Sequence, residues 1–304
     1  MLRAVQCVCV TGASGFLGRH LCDYFRRQGS EVRALMRQPG TYPFREPGIK
    51  TYMCDLPNDI DHAAFDGAEI IIHCAYTTRQ TSPEQAFSVN YLGTKAVYGL
   101  SRTHQASRFV FISSTAAHAG AESYYGRSKC SLERLFDGSR DLVIRPGLIL
   151  GAGENTRFSQ MTRLIDRVGV VPIVRGSAPI LQTVHIDDLC KAIDLALHKR
   201  LTGTFVVAEP QGLPITDFFR LIAAHLHRRC VFIPLPMRPT LALLRVIETL
   251  GIPFPLSTES LLGLKHLTHM PSANDLAKIG IDVMPAEQSV ARCLNGQDRK
   301  PDAR

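Results

Sequence analysis

The chain has 304 residues, of which 45% are hydrophobic and 20% charged, with fourteen Phe, eight Tyr and no Trp. That apolar content supports one large domain or two closely joined ones and excludes a disordered chain. The formal charge of +8 is dispersed rather than blocked, which argues against a nucleic-acid binder and leaves room for an anionic small molecule.

The longest apolar runs, LVIRPGLILGAG (142–153) and TLALLRVIETLG (240–251), carry an Arg or break at Gly or Pro short of a membrane span. No signal peptide is expected, because Thr11 to Gly18 interrupts any apolar core directly after a short strand. Nine cysteines, scattered singly through apolar segments, suit reduced, buried thiols and a cytoplasmic setting. Cys7 and Cys9 alternate along a strand with no second close pair, so no zinc site is expected.

In chain order, VQCVCV (5–10) reads as a strand and Phe16 to Arg27 as a helix with Leu17, Leu21, Tyr24 and Phe25 on one face. EVRALM (31–36), KTYM (50–53) and EIIIHCA (69–75) are the next strands. A long helix from about Pro83 to Gln105 sets Ala86, Val89, Leu92, Ala96, Val97 and Leu100 along a stripe. RFVFIS (108–113) is a strand, Tyr124 to Phe136 a helix and DLVIRP (141–146) a strand. Strands separated by helices of this length predict an α/β fold, a doubly wound parallel sheet covered on both faces with right-handed crossovers.

Beyond Pro146 the alternation loosens. Residues 155–168 and 185–199 read as helices, GTFVVAE (203–209) as a strand, and 215–227, 240–250 and 258–267 as helices between Pro-rich turns. A smaller, mainly helical lobe closing the sheet's C-terminal edge is expected, followed by a frayed tail over 295–304.

The stretch TGASGFLGRH, from Thr11, places Gly12, Gly15 and Gly18 between a strand and a helix. In that context glycine spacing predicts a Rossmann-type dinucleotide site. Gly12 permits the tight turn, Gly15 lets backbone approach a diphosphate, and Gly18 lets the helix pack closely, with free N–H groups at the helix start facing the anion. Ser14, Phe16 and Leu17 belong to the same loop. Where an NAD site usually presents a carboxylate, the second strand ends in Met36 and Arg37. A guanidinium there favours NADP, with NAD as the alternative, and Arg19 is placed to approach the same phosphate. Asp55 and Leu56, after the third strand, are candidates for the adenine side. Residues 1–150 are thus expected to form the dinucleotide-binding domain and 151–294 mainly the substrate lobe, with about 183–208 returning to the first domain.

FISSTAAHAGAESYYGRSK places hydroxyls at a strand end and then Tyr125 and Lys129 four apart on a helix. A Tyr of ordinary pKa, about 10, is a poor base at neutral pH, and an ammonium one turn away stabilises its phenolate. Such a pair moves the proton that accompanies hydride transfer at an alcohol carbon. Thr115, with Ser114 as the rival, offers a hydroxyl to the substrate oxygen.

These segments resemble the extended short-chain dehydrogenase/reductase family, also called the NAD-dependent epimerase/dehydratase family, over roughly Val5 to Cys293. The matching pieces are TGASGFLG, CDL at Cys54, HCA at His73, NYLGT at Asn90, ISST at Ile112, YGRSK at Tyr125, RPGLILGAG at Arg145 and HIDDL at His185. The resemblance implies that Tyr125 is the general acid/base, Lys129 its helper and ribose ligand, and Thr115 the substrate hydroxyl partner. It also implies that Asn90 orders the active-site backbone or a water, and that Asp55, Cys74 and Ala75 line the adenine and ribose channel. His118 is a candidate substrate contact; His73 and His185 read as packing or helix-start residues. Arg145 reads as an anchor between lobes, and Asp187 and Asp188 suit the first turn of a helix.

Departures narrow the chemistry. Ala116 and Ala117 stand where related dehydratases carry Asp and Glu, so dehydration is not expected. Leu148 and Leu181 stand where 4-epimerases of nucleotide sugars place polar groups, leaving Arg157, Arg163, Arg167 or Arg175 to hold a diphosphate. The expected activity is an NADP-dependent interconversion of ketone and secondary alcohol on a nucleotide-linked or related sugar. The alternatives are a nucleotide-sugar 4-epimerase, a dihydroflavonol- or sterol-type ketone reductase, and a non-catalytic dinucleotide-binding protein. The resemblance also implies a possible homodimer through the Tyr125 helix and the long helix before it.

Overall fold

Side chains alternate across a strand, so CVCV (7–10), apolar at every position, can be satisfied only by a sheet buried on both faces. The computed structural model describes residues 6–41, 48–78, 82–154, 156–174, 179–251, 257–265 and 267–296, and it builds that sheet. Its first seven strands are β1 (Cys7–Thr11), β2 (Glu31–Met36), β3 (Ile49–Asp55), β4 (Asp59–Ile60), β5 (Ile70–His73), β6 (Arg108–Ile112) and β7 (Leu142–Pro146). Then follow β8 (Leu148–Leu150), β9 (Val170–Val174), β10 (Ile180–Leu181), β11 (Thr183–His185), β12 (Gly203–Val207), β13 (Leu213–Pro214) and β14 (Val231–Leu235).

The main sheet runs β12-β7-β6-β5-β1-β2-β3-β4, all parallel except the short β3–β4 hairpin at one edge. Val8 and Val10 face one layer, formed by α1 (Phe16–Arg27) and α6 (Ile186–His198) with Leu17, Leu21, Phe25, Leu189 and Ile193. Cys7 and Cys9 face the other, with Ile71, Val97, Phe109, Phe111 and Leu132. All nine cysteines are free thiols.

The expected long helix from Pro83 is three pieces: α2 (Pro83–Phe87), a π-helical turn over Ser88–Leu92, and α3 (Gly93–Thr103). The catalytic-motif helix α4 spans Tyr124–Glu133. The second lobe is built from α5 (Arg157–Arg167), α7 (Ile215–His225), α8 (Met237–Thr249), α9 (Thr258–Lys265) and small strand pairs β8–β11, β10–β13 and β9–β14. Its own core gathers Leu150, Phe158, Ile165, Leu181, Phe218 and Ile222. Two helices that were not expected, α10 (Ala273–Ile279) and α11 (Ala286–Leu294), close the chain; Leu276 and Ile279 of α10 return to the main core. β12 also returns to the main sheet, beside β7. Of the expected tail, 297–304 lies outside the described residues. Among the described residues no helix is long and apolar enough to cross a membrane.

Strand order reverses between β1 and β5, the point where open parallel sheets leave a crevice at their C-terminal ends. The glycine loop fills that position. Gly12 has φ +67, and a Cβ on it would lie 2.8 Å from the Ala75 backbone. A Cβ on Gly18 would collide with the Gly12 carbonyl oxygen and lie 2.8 Å from Ala13 Cα. Helix α1 has no side-chain cap at Gly15 and no acid in its first turn, while Arg26 and Arg27 sit in its last. Its positive end is therefore left for an outside anion.

Gly18→Ala is expected to lower stability by about 1–3 kcal/mol, because backbone on both sides has no room to yield. Gly138→Ala, a turn site with nothing within 4 Å of a built Cβ, is the control and is expected to stay within about 0.5 kcal/mol. Chemical denaturation of the two variants checks this; equal midpoints would remove the steric role given to Gly18.

Candidate active site

The crevice floor is tied together by a buried histidine. His73, at the end of β5, joins Thr11 Oγ1 through Nδ1 at 2.7 Å and Thr94 Oγ1 through Nε2 at 2.9 Å. Thr94 uses its proton on the Asn90 carbonyl at 2.5 Å, so it accepts from Nε2–H, and Nδ1 accepts from Thr11. Thr11 Oγ1 in turn accepts from the Ala75 N–H at 3.3 Å. Burial, with the Lys129 charge adding to it, pulls His73 down to about 3, so it stays neutral. The packing role expected of His73 is thus also a hydrogen-bonded bridge from β1 through β5 to α3.

Asn90 sits buried in the π-helical turn and grips the strand-end loop by both ends of its amide. Its Oδ1 accepts from Thr77 N–H at 2.8 Å and its Nδ2 donates to Thr77 O at 3.1 Å. Asn90 thereby orders the backbone of the strand-end loop, and the extra residue of the π turn helps to aim it.

Tyr125 and Lys129 lie one turn apart on α4. Ser123 caps the helix by accepting from Gly126 N–H at 3.2 Å. A Cβ on Gly126 would lie 2.5 Å from Ala116 O, so glycine lets the 116–121 turn pack against the helix. Burial pushes the Tyr125 phenol above its ordinary range, opposed by a hydrogen bond from Ser114 and the positive field of Arg157. Of the two strand-end hydroxyls expected as candidates, Thr115 and its rival Ser114, Ser114 is the one that stands beside Tyr125. Past β6, Ser113 Oγ donates to Glu133 at 2.5 Å, Ser114 Oγ accepts from Ala116 N–H at 3.1 Å and stands beside Tyr125, and the Thr115 backbone N–H donates to Pro146 O at 3.1 Å.

Lys129 is 4% exposed, and its ammonium donates to Ile112 O at 2.7 Å. It also lies 4.2 Å from the Tyr76 ring centre and 4.7 Å from that of Phe111. Burial lowers it to about 7, against the opposing pull of Cys74 and Glu133. Tyr76 additionally meets Tyr125 edge-on at 5.4 Å. Tyr76 escaped sequence reasoning because only the fold brings the β5 end to α4. The same holds for Glu133, which takes Arg145 in a bidentate pair at 2.8 and 2.5 Å. Arg145 thus anchors β7 to α4 instead of joining the lobes.

Of the other expected residues, Ser14, Gly15 and Arg37 are exposed at the crevice rim, and Leu17 and Gly18 are buried beneath it. The Phe16 ring packs where Cβ atoms on Gly151 or Gly153 would stand, within 2.8 Å. Arg19 is half-buried and feels the Glu154 carboxylate. Asp55 is exposed at the end of β3, Leu56 is buried against Gly93, and Cys74 and Ala75 follow β5. His118 is half-buried in the turn before α4, its ring beside Gly120. Arg157 is exposed at the start of α5, Arg163 and Arg167 follow on the same helix, and Arg175 lies outside the described residues. His185 caps α6 by accepting from Asp187 N–H at 3.3 Å; Asp187 pairs with Arg292 and Asp188 accepts from Met284 N–H at 2.7 Å. No cluster of three metal-ligating side chains occurs among the described residues. The glycine cradle, which added Cβ atoms would fill, fits a dinucleotide diphosphate.

Comparison with known proteins places these features in a family. Residues 8–208 match the model described as the NAD dependent epimerase/dehydratase family. Ceramide reductase of Caulobacter vibrioides is 34% identical over 187 residues, 60% of this chain and 57% of that protein, so the match spans little more than half of that relative. A 3-beta-hydroxysteroid dehydrogenase of Mycolicibacterium neoaurum is 27% identical over 260 residues, 73% of this chain and 70% of that protein. The solved structure of UDP-glucose 4-epimerase with UDP-glucose from Thermotoga maritima has a TM-score of 0.73 over 95% of this chain and 98% of that one. At 17% identity this likeness shows the fold.

Lys129 makes a stability prediction that needs no substrate. Its folded pKa of about 7 lies below the unfolded value of about 10.4, so folding disfavours the ammonium. That penalty is complete below pH 7 and fades as pH rises towards the unfolded value. In nucleotide-free protein, Lys129→Met is expected to be more stable than the wild type by about 1–3 kcal/mol at pH 6, with the gap closing by about pH 10. Thermal unfolding across that range measures it; a Met variant less stable at pH 6 would contradict the burial penalty.

Proposed function

The chain belongs to the NAD-dependent epimerase/dehydratase family, and from that membership we propose that it is an NADP-dependent oxidoreductase interconverting a ketone and a secondary alcohol on an apolar, lipid-type substrate. The observation that carries the chemistry is the phenol of Tyr125 beside the Ser114 hydroxyl, on a helix whose next turn carries the buried ammonium of Lys129. The substrate class moves from the expected sugar to an apolar ketone for two reasons. The relatives aligned at 34% and 27% identity are named for a ceramide and a steroid, whereas the nucleotide-sugar likeness is one of fold. In addition, Leu181 is buried in the second lobe's apolar core and Leu148 packs against it, where a sugar-diphosphate site needs polar side chains.

In the reducing direction Tyr125 gives its phenolic proton to the carbonyl oxygen as that oxygen gains charge, and Ser114 donates a second hydrogen bond to it. The charge left on the phenolate is stabilised by Lys129 and, more weakly, by Arg157. Oxidation runs the same proton path backwards. When bound, the nicotinamide dinucleotide supplies or takes up the hydride. Gly12, Gly15 and the start of α1 would hold its diphosphate, Arg37 and Arg19 the extra phosphate of NADP, Asp55, Leu56, Cys74 and Ala75 the adenine and ribose side, and Lys129 the other ribose. Asn90 keeps the 74–77 loop in place beneath them.

NADPH consumption is to be followed with a 3-ketosteroid, long-chain acyl ketones and a UDP-linked keto-sugar. Turnover is expected on the apolar ketones, and Tyr125→Phe is expected to reduce it about a hundredfold to ten-thousandfold. Turnover confined to the sugar would reject the substrate class, and a fully active Phe variant would reject the mechanism. Separately, Arg37→Asp is expected to lower the NADPH-over-NADH ratio of kcat/KM at least about tenfold, since it exchanges attraction for repulsion at the phosphate. An unchanged ratio would take Arg37 out of cofactor choice.

A further inference from the structure

We infer that helix α8 is a docking surface for an anionic lipid bilayer, an inference that rests on the apolar-ketone reading and gives that substrate a route to the site. The helix is apolar on two opposite sides. Leu244 is buried and Leu241 and Ile247 are half-buried, on the side resting against α9. The other side carries Pro239, Ala242, Leu243, Val246 and Leu250, with spacings of three and four that place them in one stripe. Leu243, Val246 and Leu250 are 59%, 55% and 66% exposed. A stripe of large aliphatic side chains kept in water is not what a helix needs for folding.

Charge selects the occupant. Arg238 and Arg245, seven apart and both exposed, stand along one edge of the exposed stripe. The one acid of the helix, Glu248, is turned to the α9 start, where it accepts from Thr258 N–H at 2.7 Å. The outward side is therefore apolar with cations only at its edge, the arrangement by which an interfacial helix lies on anionic lipid. The strand leading into the helix, β14, exposes Val231 and Ile233 as well.

The position suits an apolar substrate. Helix α9, on which α8 rests, touches the start of the catalytic helix: Glu259 accepts from Tyr124 N–H at 2.7 Å and Lys265 pairs with Glu122 at 3.2 Å. A bilayer beneath α8 is thus one helix removed from Tyr125.

Vesicle co-sedimentation of the full chain tests this, using phosphatidylglycerol and phosphatidylcholine vesicles. Wild type is expected on phosphatidylglycerol, with binding weakened by 0.5 M salt. The triple variant Leu243→Gln, Val246→Gln, Leu250→Gln is expected to lose binding at least about tenfold, and Arg238→Glu with Arg245→Glu roughly twentyfold. Both sets are surface changes, so an unchanged unfolding midpoint and NADPH affinity certify the fold. Wild type left in the supernatant, equal binding to both lipids, or variants that bind like wild type would overturn the inference. So would a dimer that the Gln variant dissociates without any vesicle binding, since a second copy would then cover the stripe. Vesicle binding without turnover of any apolar ketone would sink the proposed substrate class alone and leave the surface standing.

Discussion

The candidate site is organised around a lysine ammonium held out of water. An isolated buried ammonium is strongly disfavoured, so Lys129 needs compensation on every side. The Ile112 carbonyl accepts from it, the faces of Tyr76 and Phe111 attract it, and Glu133 stands one turn further along the same helix. None of these restores full hydration, which is why its pKa falls to about 7. The arrangement costs stability, and the same low-dielectric setting that penalises the ammonium magnifies its field on whatever charge lies near it.

Holding that ammonium fixes the surrounding framework. Glu133 is pinned by two bonds from Arg145 of β7 and one from Ser113 after β6, so the far end of α4 is locked to two adjacent strands. The near end is set by Ser123 and by the close approach that Gly126 allows. On the other side of the crevice, the Thr11–His73–Thr94 bridge and the Asn90 clamp position the 74–77 loop, which carries Tyr76. The Tyr125–Lys129 helix and the glycine loop are thus braced by separate hydrogen-bonded systems that meet at Tyr76.

How much of this was legible in the sequence follows from the range of each interaction. Helix α1 and strand β2 fall where their periodicity puts them, because alternation and the 3.6-residue stripe are local. The glycine loop and the Tyr125–Lys129 spacing are equally local, and the family resemblance rests on such pieces. The π turn at Ser88–Leu92 was not legible, since one inserted residue leaves no mark on an apolar stripe. The choice between Thr115 and Ser114 could not be read locally, because orientation past a strand end depends on where the strand stops. Tyr76, Glu133 and Arg145 act through contacts between segments distant in sequence, and α10 was hidden because its seven residues draw their burial from the main sheet.

The two lobes are joined unequally. At the root, the buried Gln182 side chain donates to Glu209 O at 3.0 Å and Met270 O at 2.9 Å and accepts from Met270 N–H at 2.7 Å. Breaking that set leaves buried polar groups unsatisfied, at about 1–3 kcal/mol for each. At the mouth, α9 meets α4 through Tyr124 N–H to Glu259 and Lys265 to Glu122, both exposed to water. Water replaces such contacts readily, so each is worth about 1 kcal/mol or less. The second lobe is therefore fixed to the sheet at its base and held lightly beside α4.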